Sequence, residues 1–139
     1  MENMFCFQCE QTAGSVACRG KAGVCGKKEN TANLQDALTS ALISLACVAK
    51  ENAMNVTEQT HRIILEGLFT TVTNVSFDDA AISRQIEITK NETEKLNRNK
   101  SDYKAYEMEN IWQANEDIRS LKSLILFGLR GMAAYAYHA

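Results

Sequence analysis

The chain has 139 residues, 45% of them hydrophobic, and a formal net charge of −2. A chain of this length suits one compact domain, or one domain and part of another, and buries about two thirds of its unfolded surface without help from disulfides. The charge excludes the basic stripe of a nucleic-acid surface. No run reaches the ~18 uninterrupted apolar residues that mark a transmembrane helix, and the absence of proline favours long unbroken helices over a turn-rich β fold.

The first ten residues, MENMFCFQCE, carry neither the basic start nor the apolar core of a signal peptide. The expectation is a cytoplasmic protein with no membrane and no nucleic-acid partner. In a reducing compartment, clustered cysteines indicate metal or redox chemistry rather than a disulfide scaffold.

Residues 1–30 read as loop, punctuated by Gly14, Gly20, Gly23 and Gly26 and without a sustained apolar period. From Thr31 the pattern becomes helical. Leu34, Leu38, Ala41, Leu42, Leu45, Val48 and Ala49 recur at helical spacing, with Asn30 or Thr31 as the cap. Ile43 and Cys47 fall on the opposite side, which predicts a helix apolar most of the way round and Cys47 as a small buried hydrophobe. A second helix is predicted to start near Asn55 or Thr57, to carry the stripe Ile64, Leu65, Leu68, Phe69 and Val72, and to stop at Asn74 to Ser76. His61 is expected to pack or hydrogen-bond beside that stripe.

Ser76 with Asp79 resembles a capping arrangement for a third helix. That helix bears Ala81, Ile82, Ile86, Thr89, Thr93 and Leu96, and an outer face of Glu87, Lys90, Glu94 and Arg98, with Glu94 and Arg98 as an i,i+4 pair. The polar stretch NRNKSDYKAYEMEN reads as a linker or frayed helix. Asn115 or Glu116 opens a last helix through Ile118, Leu121, Leu124, Ile125, Leu129, Met132, Ala133 and Ala136. His138, next to the last residue, is expected to be disordered. Glu29, Leu34, Leu42, Ala46 and Ala49 align without gaps onto Glu116, Leu121, Leu129, Ala133 and Ala136. The alignment fits either two unrelated apolar helices or the opening of a second bundle.

Four of the five cysteines, Cys6, Cys9, Cys18 and Cys25, have the spacing C-x2-C-x8-C-x6-C. Four thiolates from one short, glycine-bearing segment can surround a metal centre at little loop-closure cost. Zinc takes such a set in a closed tetrahedral site, and an iron–sulfur cluster takes one thiolate at each ligated position. Zinc modules usually repeat the tight spacing in both halves, so the wide second half favours a cluster. Arg19, Lys21, Lys27 and Lys28 can offset its negative charge, the glycines let backbone N–H groups approach the sulfurs, and Phe5 and Phe7 can shield the first ligand. No nucleophile triad, phosphate loop or zinc-protease motif is present, and no residue is singled out as catalytic.

MFCFQCEQTAG, then GVCGK, then TANLQDAL closely resemble the N-terminus of the hybrid-cluster proteins, also called prismane proteins or hydroxylamine reductases. NEDIRSLKSLILFGLRGMAAYAYHA is similar to the start of that family's second helical bundle. The resemblance implies an all-α fold of two three-helix bundles, and Cys6, Cys9, Cys18 and Cys25 as ligands of an iron–sulfur cluster. That cluster is a 4Fe–4S cubane, with the 2Fe–2S type of some members as the alternative raised by the six-residue gap before Cys25. It implies electron relay to a hybrid cluster where hydroxylamine is reduced to ammonia and water.

Family members are several times longer, and the hybrid-cluster ligands are not expected in this chain. It is therefore expected to be a fragment, inactive alone. Residues 1–30 are read as the cysteine-rich loop, 31–98 as a three-helix bundle, 99–114 as linker and 115–139 as the first helix of a second, truncated bundle. Its expected partners are a redox electron donor, the remaining C-terminal domains of the enzyme, and a second copy pairing as a homodimer through the last helix. The rival readings are a zinc-stabilised non-catalytic module and a redox switch in which Cys6 and Cys9 form a disulfide.

Overall fold

The apolar stripes in the middle of the chain form three helices that run up, down and up. The computed structural model describes residues 4–6, 8, 9, 14, 16–98 and 104–139. It is all-α apart from one small ribbon, in which β1 (Met4–Cys6) pairs antiparallel with β2 (Cys18–Gly20). The helices among the described residues are α1 (Glu29–Glu51), α2 (Glu58–Thr70), α3 (Asp79–Leu96), the single-turn α4 (Glu109–Trp112) and α5 (Glu116–His138), with a 3₁₀ turn at Ala53–Asn55.

Two apolar clusters hold α1, α2 and α3 together. Leu38, Leu42, Ile82 and Ile86 form one, with Leu34 and Leu68 against them. Leu45, Val48, Ile63 and Leu96 form the other, with Ala49 and Ile64 alongside. Fully burying each such side chain is worth about 1.5–3 kcal/mol. By length and hydropathy α1 could cross a bilayer, yet here it is the central helix and its apolar stripe faces α2 and α3. Cys47 does not join that stripe. It lies on the outer side of α1 with Ala46 and Lys50, exposed, contrary to the sequence expectation.

The caps differ from the sequence reading in an instructive way. Lys28 is the N-cap of α1 and contributes no side-chain bond. Asn30 and Thr31 instead donate to the two carboxylate oxygens of Asp79, each at 2.7 Å, and so tie the start of α1 to the start of α3. That leaves Asp78 to cap α3, its carboxylate accepting from the Ala80 and Ala81 amides. Thr57 and Thr60 make a reciprocal capping box at α2. The expected Asn115 cap of α5 forms, accepting from the Ile118 amide at 2.9 Å. On α3, the ion pair found among the described residues is Glu92 with Lys95 rather than Glu94 with Arg98.

The buried stripe of α2 is Thr60, Ile63 and Gly67, shifted from the run of large apolar residues. The small residues mark where the helix comes closest to its neighbours. Thr60 is fully buried and donates to the carboxylate of Glu92 on α3.

Helix α5 lies against α2. The Arg130 guanidinium is buried and donates to the hydroxyls of Thr71 and Thr39, both at 3.0 Å. Tyr137 stacks on Phe69 with centroids 4.5 Å apart. His138 belongs to this helix, with its ring edge-on to Phe69, so it is ordered where the sequence suggested otherwise. His61 is exposed. Of the polar stretch read as linker, residues 99–103 lie outside the described residues. The part that follows is pinned to α1, where Ser40 donates to the Tyr106 carbonyl and Ser44 accepts from the Tyr106 amide.

The α1–α2 crossing provides a test. A Cβ on Gly67 would sit 2.6 Å from Leu42 Cδ2 and 3.2 Å from its Cγ, and Leu42 is locked in the core. Gly67→Ala should therefore lose about 1–2 kcal/mol in urea denaturation, overpacking outweighing the ~1 kcal/mol gain in helix propensity. Gly128→Ala on α5, where nothing lies within 4 Å, should show only the gain.

Candidate metal centre

The cysteine segment has no core of its own and is built onto α1. In the ribbon, Met4 pairs with Gly20, Phe5 with Arg19 and Cys6 with Cys18. Alternation along the strands turns Met4, Cys6 and Cys18 inward, where they pack with Ala32 of α1. Phe5 and Arg19 turn outward, and the Arg19 guanidinium lies 5.2 Å from the Phe5 ring centre. Phe5 also meets Trp112 edge-on at 5.7 Å. The sequence reading missed this ribbon because three residues per strand are too few for a period to register.

The return loop is a tight turn. The Gly26 amide donates to the Gly23 carbonyl at 2.9 Å and the Gly23 amide to the Lys27 carbonyl at 2.8 Å. Gly26 takes φ +85°, which glycine alone adopts without strain. A Cβ on Gly23 would come within 3.1 Å of Met4 Cε, 3.6 Å of Cys25 Sγ and 3.7 Å of Cys18 Cβ. The glycine keeps this cradle open.

Cys6, Cys9, Cys18 and Cys25 all line one small cavity, joined by Lys27 and by Thr73 and Asn74 from the α2–α3 turn. Thr73 reaches the loop directly, donating to the Gln8 carbonyl at 3.3 Å. All five cysteines are thiols rather than disulfides. Among the described residues, no three metal-capable side chains converge tightly enough for one ion. Four thiols around one cavity with a buried lysine beside them are a donor set of the kind an iron–sulfur cluster takes, one thiolate at each ligated position, and of the kind a structural zinc takes. Burial pushes the Cys6 thiol up, opposed by a Gln8 backbone hydrogen bond and by Lys27, with Asp36 and Cys18 pushing the same way as burial.

Of the four cations proposed to offset the cluster charge, Lys27 alone lines the cavity. It is 2% exposed, donating to Gln35 Oε1 at 2.7 Å and to Gln8 Oε1 at 3.4 Å. Lys21 and Lys28 are exposed, and Arg19 faces Phe5. Phe7 lies outside the described residues.

A second cavity, of about 450 Å³, opens beside Phe5, Asp36, Tyr106, Glu109 and Trp112. Asp36 is partly buried there, and its carboxyl is pushed up to about 7 by burial, with Glu109 adding to the rise and Arg130 and Lys27 opposing it. The sequence reading passed over both Asp36 and Gln35. Their signal was available, as polar residues interrupting the most apolar helix of the chain.

The model of the Prismane/CO dehydrogenase family matches residues 4–139. The chain is 36% identical to a hydroxylamine reductase of Desulfovibrio desulfuricans, over 98% of this chain and 29% of that protein. It is 39% identical to one of Clostridium perfringens, over 99% of this chain and 30% of the relative. It is 40% identical to one of Thermodesulfovibrio yellowstonii, over 98% and 30%. The chain thus spans about 30% of the length of the curated relatives it matches. The alignments are longer than the chain itself, so the relatives carry residues that it lacks within the matched span.

The raised Asp36 carboxyl makes stability depend on pH. Its folded pKa of about 7 exceeds the ~3.9 of an unfolded aspartate, so the native state binds the proton more tightly. Stability should then be greatest at the acidic end of that window and fall as pH rises from about 4 to about 7. Melting curves across that range should show the decline, and Asp36→Asn should flatten it.

Proposed function

This chain belongs to the Prismane/CO dehydrogenase family, and we propose that it is the iron–sulfur, electron-relaying N-terminal region of a hydroxylamine reductase-like enzyme. The observation that supports the reading is that Cys6, Cys9, Cys18 and Cys25 all line one cavity. These four would hold the cluster, a 4Fe–4S cubane by preference and a 2Fe–2S cluster as the alternative. A bound cluster supplies one-electron transfer. The chain's own residues present the thiolates from a ribbon and a tight turn, exclude bulk from the cradle at Gly23, and place a buried cation beside the sulfurs. A cytoplasmic setting would keep the thiols reduced.

The reaction for which the relatives are named would belong to the whole protein. Reducing hydroxylamine to ammonia and water takes up two electrons and two protons, and this region would pass electrons from a redox donor toward that chemistry. Its junction with the rest of the enzyme would be α5. When Glu29 is laid over Glu116, α1 and α5 superpose end to end as helices of 23 residues. Leu38 and Leu45 of α1 are 0% exposed, whereas their counterparts Ile125 and Met132 are 61% and 70% exposed. So α5 presents to solvent the face that α1 buries, which suits further helices of the enzyme as its cover. A second copy of the chain is the other candidate for that face.

Anaerobic reconstitution with iron and sulfide tests the site. The wild-type protein should gain the visible absorbance of a cluster and, once reduced, its paramagnetic signal. Serine at position 6, 9, 18 or 25 should each abolish or destabilise uptake, while Cys47→Ser should leave it unchanged. Full uptake by the Cys6→Ser and Cys25→Ser variants would rule out the proposed ligand set.

A further inference from the structure

We infer that the Lys27 ammonium is the built-in counter-charge of the cysteine site, positioned by Gln35 so as to favour the more negative, reduced state of a bound cluster. The inference rests on the cluster reading above and deepens it. Lysine is almost never fully buried unless paired, and Lys27 is 2% exposed. Among the described residues its hydrogen bonds go to two neutral amide oxygens, Gln35 Oε1 at 2.7 Å and Gln8 Oε1 at 3.4 Å, and no carboxylate lies within ion-pair distance. The groups near it that can carry negative charge are the thiols of the same cavity and, through charge interaction without a hydrogen bond, the Asp36 carboxyl, which burial keeps protonated up to about pH 7.

Its position is set from both ends. The Lys27 carbonyl accepts from the Gly23 amide at 2.8 Å, which fixes the backbone next to Cys25. Gln35 is 0% exposed, and its Nε2 donates to the Ser76 carbonyl at 2.9 Å. That bond orients the amide so that its oxygen faces Lys27. A cation held this way in a poorly solvated site acts on neighbouring charge far more strongly than one at the surface and is little screened by salt. Each electron added to a bound cluster increases its negative charge and so gains from the fixed ammonium. Lys27 is therefore a positioning residue that acts through the cluster's potential and does not itself react.

The test is the reduction potential of the reconstituted protein, read by spectroscopic titration in the wild type and in Lys27→Met, Lys27→Arg and Gln35→Glu. Lys27→Met should lower the reduced-to-oxidised ratio about tenfold at a given ambient potential, a shift of about 59 mV for one electron. Lys27→Arg should stay near the wild type. Gln35→Glu keeps the lysine but sets a carboxylate against it, and should shift the potential in the same direction as Lys27→Met. The new carboxylate also acts on the cluster directly, so the deciding comparison is between charged and neutral residues at position 27: a lysine with only a structural role would leave loaded Lys27→Met at the wild-type potential. If Lys27→Met takes up no cluster, Lys27→Gln, which removes the charge and keeps a hydrogen-bonding side chain, decides in its place. Loaded variants with wild-type potentials would overturn the counter-charge role and leave the cluster reading standing. A wild-type chain that takes up no iron and sulfide would overturn both.

Discussion

Gln35 sits where the fold and the candidate chemistry meet. From the buried side of α1 its amide nitrogen donates to Ser76 in the α2–α3 turn, and its oxygen accepts from Lys27 in the cysteine loop. A fully buried amide must satisfy both ends, and here the two ends belong to different parts of the chain. One bond holds the turn that brings Thr73 and Asn74 to the cavity, and the other holds the cation of the loop. The cysteine segment contributes little apolar surface of its own, with Met4, Cys18 and Ala32 as its small buried cluster. It is ordered by leaning on a helix bundle whose two larger clusters lie elsewhere.

The bundle was legible in the sequence wherever large apolar residues did the packing. The stripes of α1 and α3 fall on the expected positions, from Leu38 to Val48 and from Ile82 to Leu96. It was not legible where small or polar residues make the contact. Thr60 and Gly67 carry the closest face of α2, and a hydrophobicity pattern gives them no weight. Asp79 looked like half of a capping pair because it stands three residues after Ser76. It binds Asn30 and Thr31 instead, and only the parallel arrangement of α1 and α3 brings those residues to it. Cys47 illustrates the converse: an apolar residue on an apolar helix that faces outward because α1 has neighbours on fewer sides than its composition suggested.

At the site, the cysteine spacing singled out Cys6, Cys9, Cys18 and Cys25 without knowledge of any contact, and these four are among the residues that line the cavity. What the sequence could not reveal was which cation among four would be enclosed with them. Arg19, Lys21, Lys27 and Lys28 are equivalent on paper. The ribbon turns Arg19 outward onto Phe5, and the turn at Gly26 sends Lys27 inward to Gln35. Likewise the apolar face of α5 could be read from sequence, but its partial docking through Arg130 to Thr39 and Thr71 could not. That docking leaves Ile125, Met132 and their neighbours outward and gives the region a defined surface on which the rest of a longer enzyme could be built.

The central claim is that the four thiolates hold an iron–sulfur cluster, and the most direct test is the metal content of the protein purified without oxygen. Iron, acid-labile sulfide and zinc should be counted per chain. The account predicts iron and sulfide together, about four of each for the cubane or about two of each for the smaller cluster, with little zinc. Zinc alone, at about one per chain, would contradict it and make the cysteine loop a structural module.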